Sequence, residues 1–299
     1  MSRLLQISDP HFGAERQEAV DALVRLIEQT RPELVVISGD LTQRARRHQF
    51  EAARAFVARL GAQPVLAIPG NHDLPLFDLI ARWRQPYANY RRAFGEELEP
   101  VFDAPALLAI GVNTTRPARH TAGEISAEQV ARVARRLALA SPAQLRVVVV
   151  HQPIVAIGPA NRHDRLHGGE IALRRWAAAG ADLVLGGHTH RAGAWRVTPR
   201  DDEAGRDGAV ERPVFMVQGG TAVSRRLRAG TPNSVNLIDY AGDALGPRRA
   251  AVTRCDYDDE SRCFIAQAAQ HLDLAPATPF LLARNAPIRA RRRRLRISL

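Results

Sequence analysis

An α/β fold is predicted by two features of this 299-residue sequence: short apolar runs rich in Val, Ile and Leu, and amphipathic stretches between them. The first run, residues 4–7, is near-continuous, as a strand buried on both faces should be, and residues 18–29 follow it with helical spacing. A second strand at 34–37 leads to a helix at 47–60, and a third strand lies at 65–68. Runs at 107–112, 147–150 and 183–185 continue the pattern. Between them a helix at 127–139 opens on Ser126 as N-cap, with acidic Glu128 in its first turn. Strands alternating with helices argue for α/β rather than an all-β barrel. Beyond residue 190 the segments 194–197, 214–218 and 235–238 are divided by Gly, Pro and Asp, with no long helix between them. They are predicted to be hairpin-linked strands of a second sheet packed on the first. Residues 199–213 read as an exposed polar loop, 260–271 as a late helix, and the chain from Pro276 onward as poorly ordered. With no internal repeat and no clean linker, the expected organisation is one domain over 1–275 and an Arg-rich tail over 276–299.

A chain of this length, 45% hydrophobic, can bury a sizeable core. No apolar stretch approaches the ~20 residues of a membrane helix, and the start runs into Asp9 too soon for a secretory leader. A cytoplasmic location is expected. Two cysteines, Cys255 and Cys263, are too few for a disulfide framework or a Cys-based zinc site and read as free thiols. The net charge of +11 is concentrated at one end. Seven arginines crowd the last sixteen residues, and without them the formal charge is +4. Lysine is absent throughout, so the arginine bias reads as a composition habit rather than a site-specific choice. The tail can attract nucleic acid or anionic lipid, but the chemistry described below does not require it.

Five of the apolar runs end in residue types that bind metal. They lead into Asp9-Pro-His11, Gly39-Asp40, Gly70-Asn71-His72-Asp73, His151 and Gly187-His188-Thr189-His190. In open α/β sheets the loops beyond the carboxyl ends of strands converge on a ligand. Asp9 and His11 are two residues apart, as are His188 and His190, so in an extended chain each pair points to a common place. Glycines 39, 70 and 187 supply backbone freedom for sharp turns. Carboxylate, imidazole and amide donors without thiolate suit catalytic Mn, Fe or Zn. These candidates, seven of them even without His72 and Asp73, exceed the needs of one ion. A shared carboxylate would set two ions ~3.5–4 Å apart, a pair that acidifies a bridging water and clamps both oxygens of an in-line displacement. A packing role for Asp40 or His151, each abutting an apolar strand, would leave a buried polar group to be satisfied by backbone alone. Asp73 could instead cap a following helix. His48, His120 and His271 fit surface positions. Arg162, His163, Arg165 and His167 sit in a Gly-rich loop at 158–169 that could close over a substrate, and residues 113–116 are a further candidate lining.

In order and spacing, these five blocks resemble the signature of the calcineurin-like metallophosphoesterases over residues 3–240. The resemblance implies a four-layer αββα sandwich of two mixed β-sheets flanked by helices. It implies two divalent metal ions, one held by Asp9, His11, Asp40 and His190, the other by Asp40, Asn71, His151 and His188, with Asp40 as the bridge. His72 would face the substrate, stabilising phosphoryl charge or protonating the leaving alkoxide, and Asp73 would accept a proton from the His72 ring. The implied activity is hydrolysis of a small phosphodiester by a hydroxide held between the ions. The blocks are similar to the bacterial branch of class III cyclic-nucleotide phosphodiesterases and glycerophosphodiesterases. Gln43 departs from the Gly-Asp-x-x-Asp of many relatives without removing a ligand. A lipid A-type pyrophosphatase usually has arginine in place of His72, and a protein Ser/Thr phosphatase would show Gly-Asp-x-Val-Asp-Arg-Gly. The alternatives are a nuclease of the same superfamily, whose substrate the tail would suit, and a non-catalytic scaffold that kept the fold.

Overall fold

The computed structural model describes residues 2–155, 164–199, 212–228, 230–242 and 247–276. The predicted tail apart from Pro276 therefore lies outside the described residues, as does nearly all of the 199–213 loop. Strand β1 (Ser2–Ile7) runs to helix α1 (Gln17–Thr30), β2 (Leu34–Ser38), α2 (Arg47–Ala58) and β3 (Val65–Ile68). A 3-10 turn at Asn71–Asp73 precedes α3 (Leu79–Arg84) and α4 (Ala88–Phe94). Then come β4 (Val101–Ala104), β5 (Leu107–Gly111), α5 (Ala127–Ala138), β6 (Leu145–Val149), α6 (Gly169–Ala178) and β7 (Leu183–Gly186). The rest is strand: β8 (Gly193–Val197), β9 (Val214–Gln218), β10 (Ser234–Ala241), β11 (Arg249–Asp258), β12 (Cys263–Ala266) and β13 (Gln270–Asp273). The predicted cap of α5 is present. Ser126 Oγ accepts from the Gln129 amide at 3.1 Å, and Gln129 Oε1 accepts from the Ser126 amide at 2.9 Å.

Among the described residues two mixed sheets form, one ordered β12-β11-β10-β1-β2-β3 with β13 beside β11, the other β4-β5-β6-β7-β9-β8. The first has a parallel end, β1-β2-β3, extended by antiparallel strands on the β1 side, and the second a parallel centre, β5-β6-β7-β9, with an antiparallel strand at each margin. The late strands thus do not build a sheet of their own, contrary to the sequence expectation. β8 and β9 extend one parallel core, and β10 to β13 extend the other.

Side-chain alternation divides each strand between two cores. Leu4, Leu34, Val36, Leu66 and Ile68 face Ala109, Val147, Val149, Leu185 and Val217 between the sheets. Their neighbours Leu5, Ile7, Val35 and Ile37 pack outward on Leu23, Ile27, Phe50 and Phe56 of α1 and α2. Leu108, Ile110, Val148 and Val184 pack outward on Val133, Leu137, Leu173 and Trp176 of α5 and α6. The result is the four-layer αββα sandwich. Truncating an inter-sheet leucine to alanine would cost about 2–5 kcal/mol. Residues 260–271 form no helix, because Phe264 and Leu272 turn inward on β12 and β13 beside β11. Among the described residues, no helix is long and apolar enough to cross a membrane.

Candidate metal centre

The parallel strands of both sheets deliver their loops to one edge. There Asp9, His11 and His190 offer ligand atoms within 4.8 Å of one another, and Asp40, His151 and His188 do the same. Asn71 joins the second group, its Oδ1 lying 3.2 Å from His151 Nε2 and 2.9 Å from His188 Nδ1. Asp40 stands between the groups. Its Oδ2 is 3.8 Å from His11 Nε2 and its Oδ1 is 3.3 Å from His151 Nε2. All seven residues that the resemblance implies as ligands are therefore brought together.

Local backbone explains why. Asp9, His11, Asp40, His188 and His190 have φ of 49°, 45°, 52°, 70° and 57°, the left-handed region that residues with a Cβ avoid at about 1–2 kcal/mol each. Extended spacing is therefore not what aims the two-apart pairs. Asp9 and His11 share a group, whereas His188 and His190 serve different ones. The glycines also differ from expectation. Gly39 does adopt a positive φ of 96°, but Gly70 and Gly187 are needed for close approach. A Cβ on Gly70 would collide with the Asp40 amide and carboxylate, and one on Gly187 would lie 2.7 Å from Asp9 Oδ2.

Backbone carbonyls orient the imidazoles. His151 Nδ1 donates to Ser38 O at 2.8 Å, His190 Nδ1 donates to Arg226 O at 2.9 Å, and His11 Nδ1 lies 3.4 Å from Thr42 O. This turns the Nε2 atoms toward the carboxylates, where a deprotonated ring can bind metal. His11 Nε2 and His190 Nε2 are 3.2 Å apart. Burial pushes the carboxyls of Asp9 and Asp40 up, but His190 beside Asp9 and His151 beside Asp40 hold both below the usual carboxylate range. Burial lowers His151 in turn, yet Asp40 and Asp9 raise it to about 9. For His11, farther from the carboxylates, burial prevails and lowers the pKa to about 4. Inward-facing acceptors around two buried anions, with no thiolate, fit divalent cations.

His72 Nδ1 lies 2.9 Å from Gln43 O, which fixes the ring with Nε2 toward the cleft. Gln43 thus acts through its backbone. Asp73 does not orient that ring, contrary to the role implied by the resemblance. Its carboxylate accepts from the amides of Leu41, Thr42 and Gly70 at 3.0, 2.8 and 2.8 Å, and from Thr42 Oγ1 at 2.8 Å. It fastens the loop after β3 to the loop carrying Asp40. Burial and the Asp40 charge push its carboxyl up to about 7 against the pull of those donors.

The cleft, about 370 Å³, is lined by Asp40, Asn71, His72, His188 and His190, and by Thr121, Arg226, Leu227 and Arg228, which the sequence reading did not single out. Asp164 Oδ1 was also missed and lies 3.5 Å from His188 Nε2. The signal for Arg226 was the buried run of β9, followed by Gly219-Gly220 like the other strand ends. Arg162 and His163 lie outside the described residues. His167 pairs through its backbone with Gly123 and Ile125, and its exposed side chain does not line the cleft. Asn113, Thr114 and Thr115 are buried in a network with Tyr87 and Gln152 and do not line the cleft either.

With this fold and this donor set in view, comparison with known proteins gives the class. The chain belongs to the calcineurin-like phosphoesterase family, whose sequence profile matches residues 2–192. A probable cyclic nucleotide phosphodiesterase of Synechococcus sp. is 28% identical over 201 residues, covering 63% of this chain and 73% of that one. A cAMP/cGMP dual specificity phosphodiesterase of Mycobacterium tuberculosis is 30% identical over 210 residues, covering 62% of this chain but only 61% of its own. Among solved structures, a purple acid phosphatase from yellow lupin seeds superposes with a TM-score of 0.62 at 12% identity, over 91% of this chain and 54% of that one. A dimetal phosphatase from Danio rerio gives 0.58 at 15% identity, over 92% and 99%. At such identities the likeness is one of fold.

Proposed function

We propose that this chain is a metal-dependent phosphodiesterase with a binuclear centre, acting on a small phosphodiester such as a cyclic nucleotide or a glycerophosphodiester. The observation that carries this reading is Asp40, buried between two ligand groups with one carboxylate oxygen toward each. Asp9, His11, Asp40 and His190 would hold one ion, and Asp40, Asn71, His151 and His188 the other. When bound, the two ions would supply Lewis-acid stabilisation of phosphoryl charge and acidify water. The names of the bacterial relatives support a cyclic nucleotide as the substrate class.

The protein's own groups do the positioning. Backbone carbonyls of Ser38 and Arg226 hold His151 and His190 with Nε2 inward. Asp73 ties the Asp40 loop to the Asn71 loop, so donors from β2 and β3 keep a fixed separation. His72 presents Nε2 to the cleft; once protonated there, it can hydrogen-bond a phosphoryl oxygen or deliver a proton to the leaving alkoxide. The test is Mn-dependent hydrolysis of bis(p-nitrophenyl) phosphate against p-nitrophenyl phosphate, followed by cyclic nucleotides. Faster diester cleavage that disappears in Asp40→Ala is expected. Faster monoester cleavage would replace the diesterase reading with a monoesterase one.

A further inference from the structure

One wall of the cleft is the loop at 221–228 between β9 and β10, and buried polar side chains fix its shape. Thr221, Ser224 and Asn233 are each no more than 1% exposed. Asn233 Nδ2 donates to Thr221 O at 3.2 Å and to Ser224 O at 2.9 Å. Ser224 Oγ accepts from the Arg226 amide at 3.0 Å, and Thr221 Oγ1 donates to Arg226 O at 3.3 Å. That same carbonyl receives the Nδ1 proton of His190. The loop is further tied to the chain on either side of Asp9, through Ala222 N to Ser8 O at 2.9 Å and Arg225 N to Ala14 O at 2.9 Å. A loop pinned at this many points is a built surface.

What it presents is the guanidinium of Arg226, an exposed residue whose NH1 lies 3.1 Å from His72 Nε2 and 3.4 Å from Nδ1. With Nδ1 directed to Gln43 O, Nε2 is the acceptor in that contact. A neutral imidazole uses little of a group with five donors in a planar fork. Among the described residues Arg226 forms no ion pair with a carboxylate. Arg228 lines the same wall, so this side of the cleft carries two arginines.

We propose that Arg226 is the anion-binding residue of this cleft, its guanidinium taking the non-bridging oxygens of the substrate's phosphoryl group. It rests on the phosphoesterase reading above and adds a ligand to it that no metal-binding block contains. The substrate phosphoryl replaces His72 as partner of the fork, which suits two oxygens of one phosphoryl group in a way a lysine would not. His72 Nε2 is thereby released toward the leaving group.

The test uses Mn-loaded protein and inorganic phosphate, with binding measured by calorimetry and metal content measured alongside. Arg226→Ala is expected to keep its metal and to bind phosphate about tenfold more weakly or worse, as for loss of a hydrogen bond to a charged group. Arg225→Ala, which removes the same charge one residue away and outside the cleft, is expected to bind phosphate like wild type. Wild-type phosphate affinity in a fully metallated Arg226→Ala protein would overturn the proposal. So would an equal loss in Arg225→Ala, which would make the effect one of general charge. Should the alanine variant release metal, Arg226→Gln decides by the same two criteria with the side-chain bulk retained. Because the probe is phosphate binding, the outcome is independent of turnover. Phosphate held through Arg226 in a protein that cleaves no diester would support this subsite and remove the phosphodiesterase reading.

Discussion

At the carboxyl ends of the parallel strands, Asp9 and Asp40 are buried among imidazoles whose ring nitrogens face inward, whereas at the amino ends of β6, β7 and β9 Asp182 is buried among arginines. Arg248 reaches both oxygens of Asp182 at 2.7 and 2.6 Å, and Arg212 reaches Oδ1 at 2.7 Å. The Arg146 amide donates to Oδ2 at 2.9 Å. The second cluster carries its own cations on side chains that cannot lose them. The first is built from groups that accept, and its charge balance is left to protons or to metal. Two buried carboxylate sites in one fold thus separate structure from chemistry by the choice of partner, guanidinium at one end and imidazole at the other.

Replacing Asp40 by alanine should break the functional end most severely. Both ions are expected to be lost together, and turnover with them, as read by metal analysis of the purified variant. One retained ion per chain would take the bridging role from Asp40. His72→Ala should leave metal content unchanged and cut turnover by about 10²–10⁴-fold, the range for removing an acid-base group; unaltered turnover would exclude His72 from the reaction. At the opposite end, Asp182→Ala leaves buried arginines without their counter-charge and should destabilise the fold by about 3–5 kcal/mol in urea unfolding. That variant should still bind two metals when folded, and a loss under about 1 kcal/mol would mean water reaches the arginines.

Cys255 sharpens the comparison as burial without a counter-charge, beside the like charge of Asp256. Burial pushes its thiol up to about 11. Its thiolate is therefore scarce until the pH nears 11, and at pH 8 a thiol reagent should label the exposed Cys263 quickly in the native protein and Cys255 only after unfolding. Equal labelling of both in the native state would contradict the burial.

The metal-binding end was legible because its residues are chemically distinctive and each follows an apolar run that declares a strand. The Asp182 cluster was not, since an arginine-rich composition hides three arginines that happen to be buried. Arg226 was missed for a topological reason. Its strand, β9, pairs parallel with β7, but from sequence it reads as half of a hairpin, so the Gly219-Gly220 that follows it does not by itself mark which edge its loop will reach. The late strands were misread because β12 and β13 each bury one residue, Phe264 and Leu272, too few to display a period of two. The role of Asp73 was misjudged because a sequence shows that it adjoins His72 and cannot show that its carboxylate turns away to the Leu41 and Thr42 amides.

Five of the seven residues gathered at the metal-binding end hold a backbone conformation that glycine would adopt with less strain. Evolution toward stability and evolution toward activity therefore pull these positions in opposite directions. A library screened only for heat resistance would be expected to accept glycine at residues 9, 11, 40, 188 and 190, and such members would lose activity.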